Sequence, residues 1–258
     1  MAEPWVDQAE TKKRLVSFFS AASKELHLFG ATVNQTFEAH VFAGLISHYA
    51  ELGWKTKLVH PGKKADGSAV VRLKFSTRGK PSGYTHAVCE KGSTRVQIRH
   101  QLRVFTAHRT GREKRLPSVC LDVAVIDDTD LDALKTDDPV PNAILCSFGE
   151  AKHMSAYAEL VAQFLGIVHE IMPSSFAKPK PTDRQAHHPW PFLFVSGKFY
   201  PSAEGIVETI VARALRVRFF NHVSGFKGFP LAMTPAPPKV KKPRPPPISV
   251  VNDDDIPF

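Results

Sequence analysis

Apolar residues along the chain fall into two rhythms, and the order in which they alternate sets the expected fold. Residues 8–28 (QAETKKRLVSFFSAASKELHL) place Leu15, Phe18, Phe19 and Ala22 on one helical stripe, which predicts a first amphipathic helix. A second helix is expected from Asn34, an N-cap residue type, to Leu52. Phe37, Val41, Leu45 and Tyr49, joined by Phe42 and Ile46, give it a broad buried face. Gly53 is placed to end it. Strand-like stretches follow at 54–60, 70–75, 94–106, 119–126 and 143–148. Residues 152–171 return to helical spacing, 192–196 read as an apolar strand, 203–215 as a helix and 217–221 as a short strand. This order predicts an α/β chain of the α+β kind, a central mixed sheet flanked by helices. No internal repeat of solenoid period breaks the pattern.

The two rhythms stop at Pro230. Eight of the chain's 21 prolines lie between Pro230 and Pro247, and large apolar residues become sparse. Closely spaced prolines remove amide donors and favour extended backbone, so 230–252 is expected to be a disordered, semi-rigid linker. It carries Lys239, Lys241, Lys242 and Arg244, and is followed by a tip, Asp253-Asp254-Asp255-Ile256-Pro257-Phe258. The expected organisation is an N-terminal helix in 1–31, a domain in 32–229, the linker, and the tip in 253–258.

Composition adds three constraints. With 258 residues and 43% hydrophobic content, the chain can bury a sizeable core without staples. The net charge is +9, and because the tail is close to neutral, nearly all of it belongs to the body, where it suits a polyanionic partner such as DNA. Cys89, Cys120 and Cys146 show no CxxC spacing, which argues against a disulfide framework and a thiolate zinc site. No apolar run approaches membrane-spanning length and the N-terminus has no apolar signal core, so a cytoplasmic, nucleoid-associated protein is expected.

The chemistry concentrates in LDVAVID and the later AILCSFGEAK. Asp122 interrupts an apolar strand, and a carboxylate there is expensive unless it is paired or coordinating. Glu150 and Lys152, two apart, share one side of an extended backbone. If the two strands are neighbours, two acids and a lysine converge. Such a pair of carboxylates invites a hard divalent cation, and the lysine can orient or deprotonate a water or stabilise charge on a phosphate. The same Glu150–Lys152 spacing also suits an exposed ion pair at a strand end.

Asp122…Glu150-Ala151-Lys152 resembles the PD-(D/E)xK nuclease motif in its strand, strand, helix setting. The resemblance spans about residues 32–200 and implies a restriction-endonuclease-like core. It implies that Asp122 and Glu150 bind Mg²⁺ (or Mn²⁺) and that Lys152 is catalytic. Gln163 on the following helix would hold the site's geometry, and Glu38 on the preceding long helix would be an extra acidic ligand. Leu121, and not proline, precedes Asp122, with Pro117 five residues upstream. The helix must also expose some polar side, which is an alternative reading of both Glu38 and Gln163.

Arg95, Arg99 and Arg103, four apart, are expected to share one face of a strand, and Lys91, His100 and His108 add basic character nearby. The arginines and Lys91 suit phosphate contacts, which give affinity without sequence information; an ordinary solvated face fits them as well. Arg213, Arg216 and Arg218 form a second cluster with the same two readings. His187-His188 fall in a proline- and cation-rich stretch that reads as a solvated loop. No Gly-rich phosphate loop, Ser-His-Asp pattern or thiol nucleophile stands out.

The tip has the build of a peptide ligand: an apolar end with a free carboxylate behind three acids, on a tether. It resembles the acidic C-terminal tip of bacterial single-stranded DNA-binding proteins, including the proline-rich approach. That resemblance implies partners of helicase, exonuclease, primosome or clamp-loader type. It also implies a bacterial setting, with a phage or mobile element as one possible source. Nothing in the body resembles that family's small barrel. The combined expectation is a Mg²⁺-dependent DNA nuclease recruited through Asp253, Asp254, Asp255, Ile256, Pro257 and Phe258. The alternative is a non-catalytic DNA-binding accessory protein that uses the tip to recruit or compete for partners.

Overall fold

The computed structural model describes residues 7–19, 32–63, 65–108, 114–115, 117–136, 138–177 and 188–221. The expected linker and tip, the second half of the first expected helix and His187 lie outside them.

The elements follow in the order α1 (Gln8–Phe19), α2 (Val33–Glu51), β1 (Lys55–Val59), β2 (Gly62–Lys63), β3 (Ala69–Val70), β4 (His86–Lys91), β5 (Thr94–Phe105) and β6 (Ser118–Asp127). Then come β7 (Leu145–Lys152), α3 (Ala158–Ile171), β8 (Phe192–Val195), α4 (Pro201–Ala212) and β9 (Arg218–Asn221). Seven strands form one sheet in the order β1-β4-β5-β6-β7-β8-β9, and β2 and β3 form a separate ribbon. The pairings from β1 to β7 are antiparallel, whereas β7–β8 and β8–β9 are parallel. Parallel neighbours need a crossover, and α3 and α4 supply the two required. The expected mixed sheet flanked by helices is the one observed.

Alternation along the strands divides the core between two faces. Phe37, Phe42, Leu45 and Tyr49 of α2, with Leu15 and Phe19 of α1, bury against Val96, Ile98, Val123, Val125 and Phe194. On the other side Phe164 and Val168 of α3 and Ile210 of α4 bury against Leu121, Ala124, Phe148, Leu193 and Val195. Burying an aliphatic or aromatic side chain of this size contributes about 1.5–3 kcal/mol, so these two layers account for most of the drive to fold.

Several boundaries differ from the sequence pattern. Thr32, and not Asn34, caps α2, its hydroxyl accepting the amide of Gln35 at 3.3 Å. Lys91 closes the other end of that helix by donating to the Leu52 carbonyl at 2.7 Å. Residues 71–75 do not join a sheet: only Ala69 and Val70 pair, with Lys63 and Gly62, while Val71 and Leu73 bury directly into the core. The apolar run there reflects burial and not a ladder. Strand β4 was not expected, because His86 and Glu90-Lys91 hide its short apolar centre. The helix expected from Lys152 starts six residues later, since Glu150, Ala151 and Lys152 are claimed by parallel pairing with β8.

Candidate active site

Strands β5 and β6 lose their alternation at the same level. In β5, Val96 and Ile98 face α2 whereas Leu102 and Val104 face α3 and α4. In β6, Val123 and Val125 face α2 whereas Leu121 faces the opposite layer. The switch in β5 falls at Gln101, which holds a left-handed φ of 53°. For a residue with a side chain such a conformation costs on the order of 1–3 kcal/mol and persists only where its surroundings impose it. Here the buried ammonium of Lys74 donates to the Gln101 carbonyl at 2.8 Å.

Next to that switch, β6 and β7 separate. Their ladder reaches Val123↔Gly149, and from Gly149 onward β7 pairs with β8. A side chain on Gly149 would collide with the Phe192 ring, so glycine allows the close approach of β8 at the fork. Asp122 fills the opening: its Oδ2 accepts the Ala151 amide at 2.9 Å, and Glu150 Oε1 lies 3.4 Å from the Asp122 amide. Lys152 Nζ donates to Asp122 Oδ2 at 2.7 Å and to Glu150 Oε2 at 2.9 Å. Asp122, Glu150 and Lys152 therefore converge. Their exposure differs: the Lys152 side chain is 36% accessible, against 9% for Asp122 and 5% for Glu150.

Two acids beside one cation leave unbalanced charge. Burial, then repulsion from Asp122, pushes Glu150 up to about 8, with Lys152 pulling in the other direction. Burial works against the charged form of Lys152, but the carboxylates of Glu150 and Asp122 outweigh it and raise the amine above its ordinary value. Burial pushes the nearby Cys120 thiol up to about 11, so it stays a neutral thiol.

Glu38 sits one hydrogen bond further out. Gln101 Nε2 donates to Glu38 Oε2 at 3.0 Å and to Asp122 Oδ1 at 2.9 Å, so a single amide joins the two acids. His100 Nε2 stands 3.5 Å from Glu38 Oε2, and neither of its buried ring nitrogens has a hydrogen-bond partner. Gln101 and Lys74 were missed from the sequence. A glutamine in a strand carries no signal of a left-handed turn, and Lys74 resembles any other surface lysine until the fold buries it.

Gln163 does not join this group. It lies exposed on α3 because Val161, Phe164 and Val168 occupy that helix's buried face. Nor do the arginines make one open row. Arg95 is exposed and ion-paired with Glu90 and Asp128, at 3.1 and 2.8 Å. Arg99 is buried, donating to Gln97 Oε1 at 2.7 Å and to the Pro81 carbonyl at 2.9 Å. The switch at Gln101 turns Arg103 to the opposite side of the strand, toward Thr77 and Ser118. Four-residue spacing predicts a common face only while alternation is unbroken. Lys91 is committed to the end of α2. In the second basic cluster, Arg216 is buried and donates to the Ser174 carbonyl, and the Arg218 guanidinium stacks on Trp190 at 3.8 Å. His188 bonds Tyr49 at 2.8 Å and is not a free loop histidine.

Among the described residues, no three histidine, cysteine or acidic side chains lie together as a ready metal cluster. The two carboxylates at the fork still suit a hard divalent cation. Mg²⁺ commonly takes one or two carboxylates and fills its octahedron with water and substrate phosphate. A further positive charge would also relieve the repulsion that raises Glu150. Among the described residues, no helix is long and apolar enough to cross a membrane. No family model, curated protein or solved structure matches this chain.

Proposed function

We propose that the protein is a metal-dependent DNA nuclease of PD-(D/E)xK type, with its site at the β6–β7 fork. The observation that carries this is Lys152 held between the carboxylates of Asp122 and Glu150 at 2.7 and 2.9 Å. Asp122 and Glu150 would hold Mg²⁺ or Mn²⁺, which supplies Lewis acidity toward a phosphodiester oxygen. Lys152, kept protonated by its two acids, donates hydrogen bonds to the attacking water or to the charge growing on phosphorus, and is not the base. Gln101 orients Asp122, and Glu38 backs Gln101 without being a direct ligand.

The test is degradation of single-stranded, duplex and forked DNA in Mg²⁺ by the wild type and by Lys152→Ala. Cleavage by the wild type alone is expected. No cleavage by either protein, or equal cleavage by both, overturns the assignment. One observation favours the second reading, a non-catalytic DNA-binding accessory protein: Lys152 already satisfies a carboxylate oxygen on each acid. That reading expects salt-dependent DNA binding with no turnover in any divalent metal.

The tip is proposed to dock host proteins of the helicase, exonuclease, primosome or clamp-loader class and so keep the enzyme near the nucleoid. This rests on its sequence, Asp253 to Phe258. Deleting Phe258 is expected to abolish capture of such a partner while DNA cleavage stays intact. Capture that survives the deletion overturns the docking role.

A further inference from the structure

Beyond the fork, the chain builds one construction twice. Lys152 of β7 and Val195 of β8 are paired in register, and five residues beyond each stands a tyrosine, Tyr157 and Tyr200, that opens a helix. The connecting segments run side by side. Ala156 donates to the Lys198 carbonyl at 2.8 Å, Tyr200 donates to the Ala156 carbonyl at 3.0 Å, and Ala156 and Phe199 form a parallel bridge. Gly197 has no room for a side chain against Ser155, so this approach is close and fixed. The two rings consequently stack, with centroids 4.7 Å apart and planes 22° from parallel.

This stack does not serve the core. Neither ring belongs to the apolar layer beneath α3 and α4, and Tyr157 is 50% exposed. Neither hydroxyl caps the helix its residue begins. Met154, three residues before Tyr157, is exposed, and Lys198 Nζ sits 5.4 Å from the Tyr200 ring centroid. Glu159 and Glu204 occupy the first turns of the two helices, so the helix ends are not the attraction for an anion; Lys198 is the cation at hand. Five residues of extended chain reach at most about 18 Å, so the Tyr157 backbone stands within that distance of the Lys152 backbone.

We infer that the Tyr157–Tyr200 stack is a platform for an unpaired nucleobase. It would hold a single-stranded or frayed nucleic acid so that a neighbouring phosphodiester reaches the fork. Tyr157 offers an exposed flat ring, backed by half-buried Tyr200 with Lys198 over that second ring, and this suits such a ligand, because every base has a π-face and a phosphate beside it. A paired duplex offers no free face to such a platform. The inference deepens the nuclease reading and takes its meaning from it, but its test needs no turnover.

The experiment measures binding of fluorescent oligothymidylate, oligouridylate, an abasic oligomer and a closed duplex to the full chain in chelator. Tyr157→Ala is expected to weaken binding of the base-bearing single strands roughly 10-fold. Tyr157→Phe, which keeps the ring, is expected to restore wild-type affinity. The abasic oligomer and the closed duplex should bind Tyr157→Ala and wild type alike, and the tighter of the two homopolymers identifies the sugar. Equal binding of oligothymidylate and oligouridylate by Tyr157→Ala and wild type overturns the platform, as does an equal loss on the closed duplex. A parallel cleavage assay in Mg²⁺ separates the two claims. Intact cleavage with no Tyr157 effect on binding removes the platform and keeps the nuclease. A Tyr157 effect with no cleavage removes the nuclease and keeps the platform.

Discussion

Strands β5 and β6 carry two polar clusters, one toward the β4–β5 hairpin end and one starting at the mid-strand switch at Gln101, and the two are built on different terms. At one end Gln97 donates to Asp128 at 2.5 Å and to the Thr129 carbonyl at 3.0 Å, Arg99 donates to Gln97 and Pro81, and Arg95 pairs with Asp128 at 2.8 Å. Burial lowers Arg99 to about 10, with Asp128 and Asp132 opposing the shift, so the guanidinium stays charged and matched. At the switch two acids share one lysine, Glu150 is driven up to about 8, and both ring nitrogens of His100 lack hydrogen-bond partners. The backbone there is strained at Gln101. A closed, charge-matched network is what structural polar groups look like. An unbalanced one with a perturbed carboxyl is where chemistry is usually placed.

The largest expected effect separates the clusters by rate. On the nuclease reading, Lys152→Ala should lower Mg²⁺-dependent cleavage on the order of 10²–10³-fold, measured in single turnover, because it removes the charge that would face the reacting phosphate. Arg99→Ala should do the reverse: lose about 3 kcal/mol in urea unfolding, from stranding Gln97 and the Pro81 carbonyl, while the folded fraction cuts at wild-type rate. Cleavage lost with Arg99, or stability alone lost with Lys152, would erase the distinction.

Gln101→Gly relieves the left-handed backbone but cuts the link between Glu38 and Asp122. Its stability should hold while kcat falls about 10-fold, the loss expected when a group orienting a ligand is removed. A fall in stability with no change in kcat would make Gln101 a purely structural residue.

Proton linkage gives the finest test. Glu150 titrates near 8 when folded against its ordinary 4.5, so the folded state binds the extra proton and stability falls as pH rises across that window. Glu150→Gln should therefore gain on the wild type from about 4.5 upward and level off above about 8, followed by thermal unfolding across pH. If Glu150 holds Mg²⁺ as proposed, the ion must expel that same proton, so its affinity should rise about tenfold per pH unit up to the folded value, with proton release seen by calorimetry. A flat profile would mean that Glu150 is already ionised without metal.

Legibility followed the length scale of the signal. The helices and most strands were readable, since Phe37, Val41 and Leu45, or the run from Leu121 to Ile126, repeat a period that any packing partner uses. Asp122, Glu150 and Lys152 were readable because an acid in an apolar strand and a spacing of two are local features. Gln163 and the arginine row were misplaced because both assumed a face that was decided elsewhere, by the packing of α3 and by the turn at Gln101.

The rhythm of elements, the three charged residues of the fork, the uneven spread of charge and the proline-rich composition of the tail are all legible in the linear string. Tertiary structure alone decided that β6 and β7 part at Gly149, that Gln101 ties Glu38 to Asp122, and that Tyr157 meets Tyr200. Periodicity is a property of neighbouring residues and survives in a linear string. A fork, a bridge of one amide and a ring stack join residues 28 to 63 positions apart in bond pairs such as Asp122–Glu150 and Glu38–Gln101, and only the folded sheet supplies that proximity.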